Sequence, residues 1–384
     1  MPNTLIDIRR TLHAHPEVGY KEEWTSRYIA DCLRRDALET HTGIAGTGVI
    51  ARVPGNRPEL PSLAYRADMD ALPVVEETGL AFASTNGCMH ACGHDVHVAI
   101  ALGLAAYFAK HPLDHSLVFI FQPNEEGAPG ERPSGAQALC ESGILEKFNI
   151  TTMFALHCDP TLNVGTFGVC RGTLWAASGR FAVHVKGVAG HAAYPQRSRD
   201  ALLAAAELVS TIYLRKARES AGMREVLSIC KFQAGEAFNV IADHASFEGI
   251  VRASSREELD AMFALIRRCA QARDLECGTT TAIETYYGAL PVVNDDNLVS
   301  LARKTWKDKA RDIGMTMASE DFSYFSTRIP SFYAMLGIAP EGKTLPPLHA
   351  SNFVVDERAI DEGYHAMIAL LEAADAAVSF SESG

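Results

Sequence analysis

Ten residues, CMHACGHDVH at 88–97, hold two cysteines, three histidines and an aspartate just before an apolar run. Cys92 and His94 stand two apart, which puts them on one side of an extended segment but on opposite sides of a helix. They are therefore expected in the loop leading into a helix over 95–109. Thiolate and imidazole are good ligands for zinc and its neighbours, and Asp95 could orient an imidazole from behind. Asn124-Glu125-Glu126-Gly127 follows the apolar segment HSLVFIFQP. Adjacent residues of extended backbone point in different directions, so one glutamate can bind metal while the other takes a proton from water. A further apolar segment, TTMFALH, ends at His157, and His349 lies in the Pro-rich LPPLHASNF before the final helix. Cys92, His94, Glu126, His157 and His349 together supply enough groups for two metal ions with a shared ligand.

Each residue alone has an ordinary explanation. A histidine at a strand end is commonly a satisfied core or surface residue, and paired glutamates in a loop are commonly solvated. Cys88 and Cys92 have the spacing of half a zinc knuckle, but no second cysteine pair completes it. Cys92 and His94 could also form a nucleophile–base pair, although such partners normally meet through the fold rather than as near neighbours in sequence. The joint pattern, with several ligand types at successive strand ends, favours metal.

These positions need a scaffold, and the hydrophobic pattern supplies one. Up to about residue 175, strand-like segments (GVIARV, SLAYRADM, HSLVFIFQP, TTMFALH) alternate with helical ones, as in a largely parallel, helix-covered sheet. Ligands of open α/β sheets gather at the carboxyl ends of the strands. From about 179 the order becomes β-α-β-β-α-β, a ferredoxin-like unit. After about 290 mixed α/β character resumes and ends in a long helix. The expected organisation is a catalytic domain of 1–178 and 290–384, interrupted by a small domain at 179–289.

Composition narrows the function. With 384 residues, 47% hydrophobic and 21% charged, the chain is an ordinary globular protein large enough for two domains. A net charge of −12 without a basic block argues against nucleic acid and anionic membranes as partners and for a small-molecule substrate. The N-terminus lacks the apolar core of a secretory leader, and no run approaches eighteen apolar residues, so a soluble cytoplasmic protein is expected. Nine scattered cysteines in a reducing compartment read mainly as small buried hydrophobes.

The motifs RADMDALP (66–73), MHACGHDVH (89–97), FQPNEEG (121–127), ALH (155–157), GHAAYP (190–195), SEDF (319–322) and LHASNF occur in this order. Together they resemble the amidohydrolases of the aminoacylase/carboxypeptidase superfamily, in the subgroup of hippurate hydrolase, auxin-conjugate hydrolase and N-acetyldiaminopimelate deacetylase. The resemblance covers nearly the whole chain. It implies a two-metal exopeptidase-like domain with an inserted lid, and hydrolysis of N-acyl amino acids to a free amino acid and a carboxylic acid. It further implies Cys92, His94, Glu126, His157 and His349 as ligands of two divalent ions and Glu125 as general base. His191 would steady the developing oxyanion in a neighbouring subunit, which implies a homodimer or higher oligomer. Asn239 and Arg252 would hold the substrate amide and carboxylate. Cys92 favours zinc, and the remaining ligands also suit manganese, cobalt or nickel.

Three departures stand out. Asn124 replaces the alanine of many relatives, GAPGERPSGAQ replaces a compact turn, and Asp68-Met-Asp70 replaces the His-x-Asp of distant members, leaving Asp68 and Asp70 as supporting groups. The segments LAYRADMDALPVVEETGLAFAS and KHPLDHSLVFIFQPNEEG look especially like bacterial N-acetyldiaminopimelate deacetylases. Rival readings are a small-peptide exopeptidase with the same metals, a non-catalytic binding protein of the same fold, and a structural zinc protein.

Overall fold

The computed structural model describes residues 4–127, 133–219 and 224–381. They form two compact units: 1–174 with 292–314 and 321–384, and 175–291 with 315–320. The sequence pattern put the joins at 178/179 and 289/290 and left 315–320 with the larger part. That segment goes with the smaller unit through an isolated bridge between Trp175 and Thr316 and the Ala176 N–H to Ala318 C=O bond.

In the larger unit an eight-stranded sheet runs in the order Glu39–Ile44, Gly48–Val53, Leu117–Gln122, Ser62–Asp68, Ile150–Asn163, Ser331–Ala339, Phe167–Val169, Ala310–Asp312. The central four, Leu117–Gln122 through Ser331–Ala339, are parallel. Every residue of Ser62–Asp68, Leu117–Gln122 and Ser331–Ala339 is buried. Strands covered on both faces read as continuous apolar runs, which is why they were visible in the sequence. The edge strand Glu39–Ile44 (ETHTGI) has mostly exposed or half-buried residues and carried no such signal.

Helix His94–Phe108 is buried on nearly every side. It packs against the sheet and between helices Leu5–His13 and Arg358–Ser381, which explains its lack of a polar face. The strand containing His157 does not end there; it continues to Asn163, turning from fully buried to alternating exposure after Cys158.

The smaller unit has strands Ala177–Lys186, Val226–Ala234, His244–Ala253 and Thr280–Tyr287 with helices Ala201–Glu219 and Arg256–Cys277. The antiparallel sheet runs Val226–Ala234, His244–Ala253, Ala177–Lys186, Thr280–Tyr287, which is the ferredoxin-like arrangement. Its strands alternate buried and outward residues, and its own core includes Phe181, Val183, Phe247, Leu208 and Phe263. No helix of the described residues is long and apolar enough to cross a membrane.

Candidate metal centre

The larger unit gathers the ligand-type residues at the carboxyl end of its parallel strands. Gly93, in left-handed conformation (φ 86°), turns the chain from Cys92 into the helix that starts at His94. A Cβ on Gly93 would lie 2.8 Å from Cys158 Sγ, so only glycine lets the turn approach that strand. One atom each of Cys92, His94 and His157 lie within 4.8 Å of one another, as do one each of Cys92, Glu126 and His349. Cys92 belongs to both triples. Glu125 brings a carboxylate oxygen within the same distance of His94 and Glu126.

The imidazoles are aimed by their backbone partners. His94 Nδ1 lies 2.9 Å from the Asp70 carbonyl, and His157 Nδ1 lies 2.8 Å from the Cys158 carbonyl. A carbonyl only accepts, so each Nδ1 carries a proton, and each Nε2 is turned to the cluster. His157 Nε2 is 3.3 Å from Cys92 Sγ. His94 Nε2 is 3.9 Å from Glu126 Oε1, and His349 Nε2 is 3.2 Å from the same oxygen. His349 sits at φ 68° with its N–H on the Ala91 carbonyl, which ties its loop to the Cys92 turn.

The site carries surplus negative charge. Burial opposes protonation of His94, but Asp68, Asp70 and Glu126 outweigh it and push the ring up to about 10. Burial and the nearby Glu126, Glu125 and Asp68 carboxylates hold the Cys92 thiol well above its ordinary range. Burial and the neighbouring His97 hold His157 neutral, down to about 3. His94 Nε2 and Glu126 Oε1 are buried without a hydrogen-bond partner of acceptable geometry, a costly arrangement unless a cation meets them. A cysteine–imidazole–carboxylate set with converging ligand atoms fits a divalent metal, which would take the place of the protons on Cys92 and His94.

The supporting aspartates have defined places. Asp70 accepts the Glu126 N–H at 3.0 Å and lies 3.3 Å from His94 Nδ1. Asp68 is fully buried between Arg66 (2.5 Å), His97 Nδ1 (2.6 Å) and His94 Nε2 (3.8 Å). Arg66, also buried, continues to Gln122 and Asp321. Asp95 departs from its expected role. Its Oδ2 accepts from Arg9 Nε at 2.7 Å and lies 2.8 Å from His13 Nδ1, so it fastens the N-terminal helix rather than orienting an imidazole of the cluster. On the first turn of a helix its side chain is turned away from the face that His94 presents.

The sequence pattern assigns His97 only packing or a supporting contact behind the ligands, and in the structure it holds the site's floor. Its Nδ1 meets Asp68 and its Nε2 accepts the Cys158 N–H at 3.0 Å, directly beside His157. Its spacing of three from His94, one helical turn, was the available signal.

The remaining candidates belong to the smaller unit. His191 is exposed, in a two-residue strand paired with Val240–Ile241, and Asn239 accepts the Ala192 N–H through its carbonyl, so these two are neighbours. Arg252 pairs with Ser178, at the opposite end of the strand whose Lys186 faces His244. The half-buried Arg252 guanidinium has no acidic partner among the described residues, and desolvation alone lowers its pKa. Of the loop GAPGERPSGAQ, residues 128–132 lie outside the described residues.

The Peptidase family M20/M25/M40 profile matches residues 64–373. The chain belongs to this family. Membership makes it a metal-dependent hydrolase of amide bonds. It is 36% identical to the N-acetyldiaminopimelate deacetylase of Geobacillus sp. strain WCH70, covering 95% of this chain and 96% of that one. Against the enzyme of the same name from Bacillus subtilis strain 168 it is also 36% identical, covering 94% and 96%. Among solved structures it is similar to the Bacillus subtilis YXEP protein, described as a dinuclear metal binding peptidase of the M20 family. The TM-score is 0.83 at 32% identity, covering 96% of this chain and 97% of that one.

Proposed function

We propose that this M20-family chain removes the acyl group from N-acyl amino acids, N-acetyldiaminopimelate first among them, using two divalent ions. The observation that carries the reading is the pair of ligand triples sharing Cys92 with the Glu125 carboxylate beside them. Cys92, His94 and His157 would hold one ion and Cys92, Glu126 and His349 the other, with zinc favoured by the sulfur ligand. When bound, the ions supply Lewis-acid activation of water and of the amide carbonyl.

The rest is the work of side chains. Glu125, a half-buried carboxylate beside both ligand triples, accepts the proton from the attacking water and returns it to the departing amine. His191 donates to the carbonyl oxygen as charge develops there. Arg252 grips the substrate carboxylate and Asn239 its amide. In one copy of the chain these last groups cannot meet one small substrate. Ser178 and Lys186 mark the two ends of a strand, about 26 Å apart at ~3.3 Å per residue, with Arg252 at the first end and His191 beyond the second. The reading therefore includes a homodimer in which His191 and Asn239 serve the neighbouring subunit's substrate.

The test is a hydrolysis screen of protein loaded with zinc, manganese, cobalt or nickel. N-acetyldiaminopimelate, other N-acetyl and N-benzoyl amino acids, and free dipeptides are compared. Release of the free amino acid from N-acyl substrates is expected. Cleavage of dipeptides with N-acyl substrates untouched would replace this reading with an exopeptidase.

A further inference from the structure

Glu125 is flanked by two peptide N–H groups, those of Asn124 and Glu126, and each ends on a buried carboxyl group. Glu126 N–H donates to Asp70 Oδ2, as described above. Asn124 N–H donates to Glu22 Oε1 at 2.9 Å, across 102 residues of sequence. Glu22 is wholly buried at the start of helix Glu23–Arg35, and its other oxygen accepts the Thr47 hydroxyl at 2.6 Å.

Asn124 needs such an anchor. Its φ of 48° is a left-handed conformation that a non-glycine residue keeps only where its surroundings fix it. Its carbonyl accepts the Gly135 N–H at 3.0 Å. Its side chain is wedged between Gly19 and Gly127, where an added Cβ would come within 2.0 and 2.4 Å of Asn124 Oδ1. The residue before the paired glutamates is thus held at its N–H, its C=O and its side chain, and Glu22 supplies the first of these.

We propose that Glu22 is a positioning residue for catalysis: by accepting the Asn124 N–H it fixes the left-handed turn that aims Glu125 into the site. The inference rests on Glu125 being the general base. Burial, with Asp70 nearby, pushes the Glu22 carboxyl up to about 7. Oε1 can accept the Asn124 N–H in either protonation state, so what it contributes to the turn is a hydrogen-bond acceptor rather than a charge.

Two substitutions separate these properties. Glu22→Gln keeps the acceptor for Asn124, and its amide can donate to the Thr47 oxygen. Glu22→Met fills similar space and accepts nothing. Both are loaded with zinc or manganese and assayed on an N-acetyl amino acid, with kcat expressed per metal-loaded site. Because small misplacements of a catalytic group cost on the order of a hundredfold, Glu22→Met should lose at least about thirtyfold in kcat with KM within about threefold and metal content unchanged. Glu22→Gln should stay within about threefold of wild type in kcat.

A wild-type kcat per loaded site in Glu22→Met, whatever its melting temperature, overturns the proposal. So does a Glu22→Gln loss as large as that of Glu22→Met. Should Glu22→Met fail to fold, Thr47→Val frees the other carboxyl oxygen and should lower kcat by about three- to tenfold at constant KM; an unchanged kcat overturns the proposal. Glu125→Gln is run in parallel. If it stays active, the base assignment and this inference fall together; if it is inactive while Glu22→Met is normal, only this inference falls.

Discussion

The cluster in the larger unit and the three polar candidates of the smaller unit differ in how fully their surroundings define them. Cys92, His94 and His157 are buried, and both imidazoles have one nitrogen committed to a backbone carbonyl. Behind them stands a shell of Asp68, Asp70, Arg66 and His97. His191 and Asn239 are exposed, and the His191 ring accepts the Ala193 N–H and lies beside the Tyr194 ring. A buried shell fixes a ligand before anything binds. An exposed group on a short two-stranded ribbon has its backbone fixed but its side chain left for a partner to order. Geometry in the first case is a property of the fold; in the second, on the proposed reading, it would come from assembly and substrate binding.

That contrast can be broken at several points. Glu125→Gln should leave metal content, read by elemental analysis, at the wild-type level and lower kcat by on the order of a thousandfold or more. Substantial residual turnover would remove Glu125 from the mechanism. His191→Ala should cost about 100–1000-fold in kcat without loss of metal. Co-refolding it with Glu125→Gln should then restore about a quarter of wild-type activity, because half the dimers pair an intact base with an intact partner histidine. No recovery would place His191 in the wrong subunit or outside the reaction.

The next effect is on stability. The Glu22 carboxyl rises to about 7 in the folded chain from its ordinary 4.5, so the neutral form is the one favoured by folding. That contribution is present below about pH 4.5 and is lost as pH rises through about 7, amounting to about 3 kcal/mol. The urea stability of wild type minus that of Glu22→Gln should fall by about that amount between about pH 4.5 and 8; a flat difference would mean the carboxyl is better solvated than its burial indicates. The smallest effect is expected at Arg252→Met, with KM for an N-acyl amino acid rising about tenfold at near-constant kcat. The corresponding substrate with its carboxylate converted to an amide should not distinguish the variant from wild type.

Much of the fold was readable because the parallel strands are continuously apolar and the inserted unit alternates cleanly, as in Ala177–Lys186. The grouping of Cys92, His94, Glu126, His157 and His349 was readable because metal needs rare side chains, and these stand in or beside the parallel strands, at the start of the helix His94–Phe108 and in the loop before the last helix. What could not be read were contacts between groups with many possible partners. Asp95 sits next to His94 in sequence but turns to Arg9 and His13, which only the packing of the first helix decides. Glu22 reads as one more charge in KEEW, and its burial depends on Thr47 and Asn124 arriving from elsewhere. His97 gave a helical spacing but not its partners. Residues 315–320 crossed to the smaller unit through pairing that has no local signature.

The order of strands in the larger sheet bears on how the chain is made. Ser331–Ala339 lies between Ile150–Asn163 and Phe167–Val169, yet it is translated after the whole smaller unit. At about 5–20 residues per second, roughly 13–50 s separate the synthesis of Cys92 from that of His349. From the synthesis of Asn163 to that of Ser331, roughly 8–34 s at the same rate, the nascent sheet presents the Ile150–Asn163 edge with its neighbour missing, an open template for wrong pairing. The smaller unit, with a core of its own, can collapse meanwhile. Arrival of one late strand then closes the sheet, and the His349 loop behind it delivers the last of the five converging side chains.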